Sequence, residues 1–205
     1  MKKEIIIIGL LSIFSIIKLN AQERQIFREK GVQYISSLSF HNGIMTVETP
    51  SLKLSNNIPV FSVHQVVGYQ LSPYFNIGLG LGFEKWRKTS FIPLYADFRF
   101  NILRGRYSPH IMLDLGYSNK WYESPRPDPT YMVIHGASSG LFFEGGLGFK
   151  AMFKESSGLF LAISYKIQET DIKYSNEENE IPQLTTNKAK RVMYHFAGIR
   201  AGILF

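Results

Sequence analysis

Five histidines are the side chains in this 205-residue chain best suited to proton transfer or metal binding, because imidazole titrates near neutrality and ligates metals in its neutral form. His41 and His135 read as loop residues, His64 and His110 fall on polar faces of alternating segments, and His195 sits on an apolar register near a segment's end. No His-x-Ser pair occurs that would set a hydroxyl beside an imidazole on one strand face. His135-Gly136-Ala137-Ser138 reads as an ordinary loop. No two histidines stand at a metal-ligand spacing. Gly78-Leu79-Gly80-Leu81-Gly82 spaces its glycines two apart, which suits strand packing rather than a phosphate-cradling turn. The stretch 175–180 (SNEENE) with Asp171 lacks the Asp-x-Asp-x-Asp-Gly order of a calcium loop and reads as a solvated acidic loop. Cysteine is absent, which removes disulfides, thiolate metal sites and a lipid-acylated cysteine. The residues therefore assign no catalytic group, no metal and no cofactor, and no enzyme is expected.

A second set of polar residues is more informative. Glu84, Asp97, Asp114 and Glu144, with Arg99, Lys150, Lys166 and Arg200, lie in the middle of otherwise apolar segments. Their signs balance, four against four, as buried charges require, since each must be paired and hydrogen-bonded. Long runs of period-two alternation must hold them. In 91–103, Ile92, Leu94, Ala96, Phe98, Phe100 and Ile102 share one face and Pro93, Tyr95, Asp97, Arg99 and Asn101 the other. Such alternation is strand, not helix. Segments 75–85, 110–118, 141–152, 159–168 and 192–205 alternate in the same way, and 60–71 does so with Gln65 as a blemish. Segment 32–40 alternates poorly but is bounded by turn residues. Eight strands are predicted, an even number.

Their connections alternate in length. Those around Pro73, at 103–109 and at 154–157 are short; of 41–59, 86–90, 119–138 and 169–191, three are long and polar. Pro125, Pro127 and Pro129 stiffen the third of these, and Lys85, Arg87 and Lys88 make a basic cluster near the brief second one. An up-and-down sheet of eight strands closes with both chain ends on the short-turn side, the plan of an outer-membrane barrel.

The first residues point the same way. Lys2 and Lys3 precede an apolar run from Ile5 to Ile17, and Ala21 stands before Gln22. A basic start, an apolar middle of roughly 7–15 residues and a small residue at the cut make a secretory signal peptide; the run is short of the about 20 residues a spanning helix needs. Residues 1–21 read as the signal, 22–30 as a short periplasmic tether and 31–205 as the barrel. The net charge of +7 includes Lys2, Lys3 and Lys18 against Glu4, so the mature chain carries about +5. Its lysines and arginines are scattered, without the basic face that nucleic acid requires.

Alternation alone does not say which face is outside, and a water-soluble ligand carrier would bury the apolar one. Balanced mid-strand charges favour a polar lumen, because an eight-stranded barrel has an interior just wide enough for side chains to fill. Glycines at 78, 80, 82, 146, 148, 198 and 202 crowd the charged faces and are expected to make room for the long charged side chains. Aromatics flank the strands as two girdles: Trp86, Phe91, Trp121 and Tyr122 at the outer loops, Tyr69, Tyr74, Phe75 and Tyr107 at the inner turns.

The stretches 66–83 (VVGYQLSPYFNIGLGLGF), 92–103 (IPLYADFRFNIL), 108–118 (SPHIMLDLGYS) and 199–205 (IRAGILF) resemble the small outer-membrane β-barrel proteins of OmpA/OmpX-like size, particularly those of Bacteroidetes. The resemblance covers most of the mature chain but neither the first strand nor the outer loops. It implies an all-β, eight-stranded antiparallel transmembrane barrel in a Gram-negative outer membrane. Ile199, Ala201, Ile203 and terminal Phe205 are similar to the signal that the barrel-assembly machinery reads in this class. Expected partners are that machinery, outer-membrane lipid and lipopolysaccharide, whose phosphates the 85–88 cluster could meet, and an external ligand at loops 119–138 and 169–191. The sequence favours a structural or surface-interaction barrel with a lumen plugged by its eight charges. A narrow channel for small solutes is the alternative, and an outer-rim lipid hydrolase a more distant one. Within the charge set, Asp114 is expected to reach Arg99 on the neighbouring strand.

Overall fold

The computed structural model describes residues 30–48, 53–86, 89–124, 134–154, 156–174 and 188–205. The signal assignment, the tether apart from Lys30, the acidic stretch 175–180, Arg87, Lys88 and the three loop prolines lie outside these residues.

Strong alternation produces eight long strands: β1 (Gly31–Ile44), β2 (Pro59–Ser72), β3 (Phe75–Trp86), β4 (Thr89–Asn101), β5 (Tyr107–Glu123), β6 (Gly140–Met152), β7 (Gly158–Tyr174) and β8 (Lys188–Leu204). Each is antiparallel to its chain neighbour, and β8 pairs with both β7 and β1, so the sheet closes on itself. Closure leaves no long strand with an open edge, which lets every backbone group be satisfied without water. The last rungs are made at the chain's end, where Tyr34 and Phe205 exchange backbone hydrogen bonds of 3.0 and 2.8 Å.

One end of the barrel carries the short turns. Asn101 fastens the first of them: its backbone NH donates to the Tyr74 carbonyl at 2.7 Å and its side-chain amide to the Pro73 carbonyl at 2.9 Å. At the opposite end the strands run on past the expected loop boundaries. A crossing strand needs about 9–11 residues, whereas β5, β7 and β8 have 17 each. The β7–β8 ladder continues to Tyr174 and Lys188, and a short strand, Ile134–Ala137, pairs with the same part of β7. The predicted loops 119–138 and 169–191 are therefore partly ladder. Alternation in the sequence weakens there, while the backbone keeps its ladder pairing. Ser138 clasps this region: its NH donates to Thr170 Oγ1 at 2.8 Å, and the Asp171 NH donates to Ser138 Oγ at 2.9 Å. Between β1 and β2 the segment predicted as loop 41–59 holds a small hairpin, Thr46–Glu48 with Lys53–Ser55, entered through Met45 at a φ of 67°.

The direction of the faces is unambiguous. Leu79 (71% exposed) and Ile163 (67% exposed) stand outside, whereas Arg200, Glu84, Asp97, Asp114 and Glu144 are wholly buried in the lumen. A water-soluble carrier would show the reverse. β1 alternates poorly in sequence because its inward set, Gln33, Ser37, Ser39 and His41, is interrupted by Ile35, while Ser36 faces outward. That outward polar group is answered by the Gln65 blemish opposite, whose Oε1 accepts from Ser36 Oγ at 2.7 Å.

Candidate functional site

The lumen is the candidate site, and it is built in three tiers. Nearest the long hairpins, Trp86, Phe91, Tyr194 and Phe196 interlock with Val60 and Val192. The Trp86 ring lies 4.8 Å from Phe91 and 4.9 Å from Phe196, centroid to centroid. Trp86 and Phe91 are thus not girdle residues, as the sequence had suggested, but a buried apolar tier. Strand parity explains it: Trp86 shares its face with Glu84, and Phe91 shares its face with Tyr95 and Asp97. Trp121 and Tyr122, by contrast, are exposed, as are Tyr69, Tyr74 and Tyr107 at the other end.

The middle tier is the charge network. Strand register sets Asp97, Asp114 and Glu144 side by side on β4, β5 and β6. Three carboxylates in a row on one wall need cations from elsewhere. Arg200 on β8, three strands away from β5, crosses the lumen to supply one: its Nη1 donates to Asp114 Oδ2 at 2.5 Å and lies 3.7 Å from Glu144 Oε1. The same guanidinium donates to the Tyr95 hydroxyl at 3.1 Å and to Ser37 Oγ at 3.0 Å. One side chain thereby ties four strands of the closed sheet together. Lys166 on β7 bonds Glu84 on β3, a second link across the lumen. Arg99 is folded onto Asp97 of its own strand, with Nε at 3.0 Å from Oδ1 and Nη2 at 3.1 Å from Oδ2.

The expected Asp114–Arg99 pair is therefore not formed. Residues at i and i+2 on one strand face are already adjacent, so Arg99 takes the nearer acid, and Asp114 is left to the arginine that reaches it from the far wall. Glycines also serve otherwise than expected. A Cβ on Gly80 would stand 2.2 Å from the Tyr95 ring, and one on Gly202 would stand 2.5 Å from Phe160. The space they leave is filled by rings rather than by charged chains.

Histidines complete the tier. His41 belongs to β1, not to a loop, and is 1% exposed. Its Nε2 meets Ser164 Oγ at 2.7 Å and lies 3.5 Å from Glu144 Oε1. Serine, histidine and acid are present, but serine and acid share one ring nitrogen, and His41 Nδ1 has no hydrogen-bond partner. In a catalytic triad the acid holds Nδ1 and the hydroxyl meets Nε2, an arrangement this grouping does not have. His64 accepts or donates at Nδ1 to the Tyr95 hydroxyl, 3.1 Å away. His195 faces outward near the rim, with Nδ1 2.6 Å from the Tyr165 hydroxyl, and the side chain of His135 lies outside the described set. No group of three or more potential metal ligands occurs among the described residues.

The innermost tier, at the short-turn end, contains Lys150, His110, Asn76 and Gln33 around Phe160, with Arg99 above them. All eight network residues of the sequence reading face the lumen, and seven of them meet an opposite charge within 3.7 Å or less. Lys150 stands apart.

No family model matches the chain, and no curated protein matches its sequence. Solved structures do match its shape. The outer membrane protein OprG from Pseudomonas aeruginosa superposes with a TM-score of 0.56 at 12% identity, over 89% of this chain and 99% of that one. Neisserial surface protein A follows with 0.50 at 10% identity, over 84% of this chain and 98% of its own. The fold is that of an eight-stranded outer-membrane barrel. At such identities the likeness concerns backbone architecture alone, and the luminal side chains must be read on their own terms.

Proposed function

We propose that the chain is an integral outer-membrane barrel of structural or surface-interaction type, with a lumen closed by its own side chains and no catalytic role. Arg200 carries this reading. A fully buried guanidinium spanning from β8 to β5, with an interlocked aromatic tier on one side and Arg99 stacked on Phe160 at 4.6 Å on the other, supports a lumen filled by side chains. Residues 1–21 act as the export signal, the short turns face the periplasm, and the outward belt of Leu79, Leu94, Ile163 and Ile199 meets lipid. The extended hairpins of β5, β7 and β8 then stand outside the membrane, where loops on a rigid scaffold commonly carry binding. Their partners are lipopolysaccharide or an external ligand at 119–138 and 169–191. Ile199, Ala201, Ile203 and Phe205 present the outward edge of β8 to the barrel-assembly machinery.

Planar-bilayer recording of the wild-type barrel tests the closed lumen. Insertions without steady conductance are expected; a stable open level would give the protein to the narrow-channel reading.

A further inference from the structure

The short-turn end of the lumen holds cationic groups that the network leaves over. Lys150 has no carboxylate at ion-pair distance among the described residues, whereas the other seven network charges each have an opposite partner. The nearest acid to this tier, Asp97, already receives both Nε and Nη2 of Arg99, so Nη1 of that guanidinium is left outside the contact. His110 is 3% exposed, and neither of its ring nitrogens has a hydrogen-bond partner. It is packed edge-on to Phe160, with centroids 5.6 Å apart, and the same ring carries the Arg99 guanidinium on its face. Arg99, Lys150 and His110 line one small cavity of about 10 Å³.

Each observation asks for the same missing chemistry. Two cations against one carboxylate leave an excess positive charge around a half-buried Lys150, and charge held partly out of bulk water favours a counter-ion. Imidazole carries at least one N–H whether neutral or protonated, and a buried N–H without an acceptor forfeits a hydrogen bond. The cavity is small and only partly enclosed, so a compact anion suits it better than a bulky organic one. Chloride is compact, accepts several N–H donors at once and carries the compensating charge. We propose that Lys150, Arg99 and His110 form a binding site for one monatomic anion of chloride size at the short-turn end of the lumen. The anion would join β4, β5 and β6 at the one level where the protein's own ion pairs do not, and it would do so whether or not the barrel conducts.

The purified barrel, folded in detergent micelles, provides the test. Thermal unfolding is measured in sodium chloride, sodium bromide and sodium gluconate at equal ionic strength, gluconate being the bulky organic anion. Binding to the folded state alone raises the unfolding midpoint with ligand concentration. Chloride and bromide are expected to raise the wild-type midpoint above that in gluconate in a saturable way. Lys150→Met should abolish the difference, and Lys150→Arg should keep it. Crystals of the wild type grown in bromide should show an anomalous peak among Lys150, Arg99 and His110. Equal wild-type midpoints in chloride and gluconate, an undiminished difference in Lys150→Met, or bromide peaks elsewhere with none in this cavity would each overturn the assignment.

Discussion

Replacing Arg200 by methionine should destabilise the barrel more than any other single luminal substitution, and the geometry says which second substitution relieves it. The guanidinium donates to Asp114 at 2.5 Å, Tyr95 at 3.1 Å and Ser37 at 3.0 Å, and both members of the ion pair are 0% exposed. Removing one partner of a buried pair typically costs about 3–5 kcal/mol, because the other charge is stranded without solvent. Asp114 would be stranded between Asp97 and Glu144, its register neighbours on either side, which places the expected loss at the upper end of that range. Adding Asp114→Asn removes the stranded charge, so the double variant should be less destabilised than the sum of the two single ones. Contacting charges commonly couple by about 0.5–3 kcal/mol. Arg99→Met combined with Asp114→Asn should show a smaller coupling, since Arg99 is bonded to Asp97 instead. Urea unfolding in detergent micelles, followed by heat-modifiable gel mobility and intrinsic fluorescence, gives the needed free energies. Additive losses for Arg200 with Asp114, or a stronger coupling for Arg99 with Asp114, would refute the cross-lumen pairing.

Further outcomes follow from the same geometry. Ile199 is 54% exposed on the outward face, opposite Ile163 and Phe40, and arginine at mid-bilayer on that face costs roughly 2–4 kcal/mol; Ile199→Arg should lower the folded fraction in lipid vesicles sharply. Arg191→Ala, which breaks only exposed ion pairs to Glu169 and Asp171, should cost no more than about 1 kcal/mol in the same assay. Trp86→Ala should destabilise the barrel by about 3–5 kcal/mol, the usual cost of emptying a packed aromatic site, whereas Trp121→Ala, 71% exposed, should leave unfolding in micelles nearly unchanged. Equal losses for the two tryptophans would contradict the apolar luminal tier.

Period-two alternation carried most of the architecture into the sequence. It placed the eight mid-strand charges on the inward face, because a strand lets no residue change sides without breaking the pattern. What it could not carry was partner choice. Arg200 and Asp114 are separated by 86 positions in the chain, and their meeting depends on how far one wall of the closed sheet stands from the other, a quantity set by the whole barrel and not by any one strand. The misplaced aromatics are a different case. Trp86 and Phe91 are readable from parity, since each continues a polar face, and that signal is stronger than their nearness to a loop. Two of the middle tier's links reach across the lumen and one is made within β4, and an apolar tier packs over them at one end. At the other end the pairing falls one acid short. Lys150 can be neutralised there by something outside the chain, and this is the point at which the sequence's balanced count of charges and the structure's actual pairs part company.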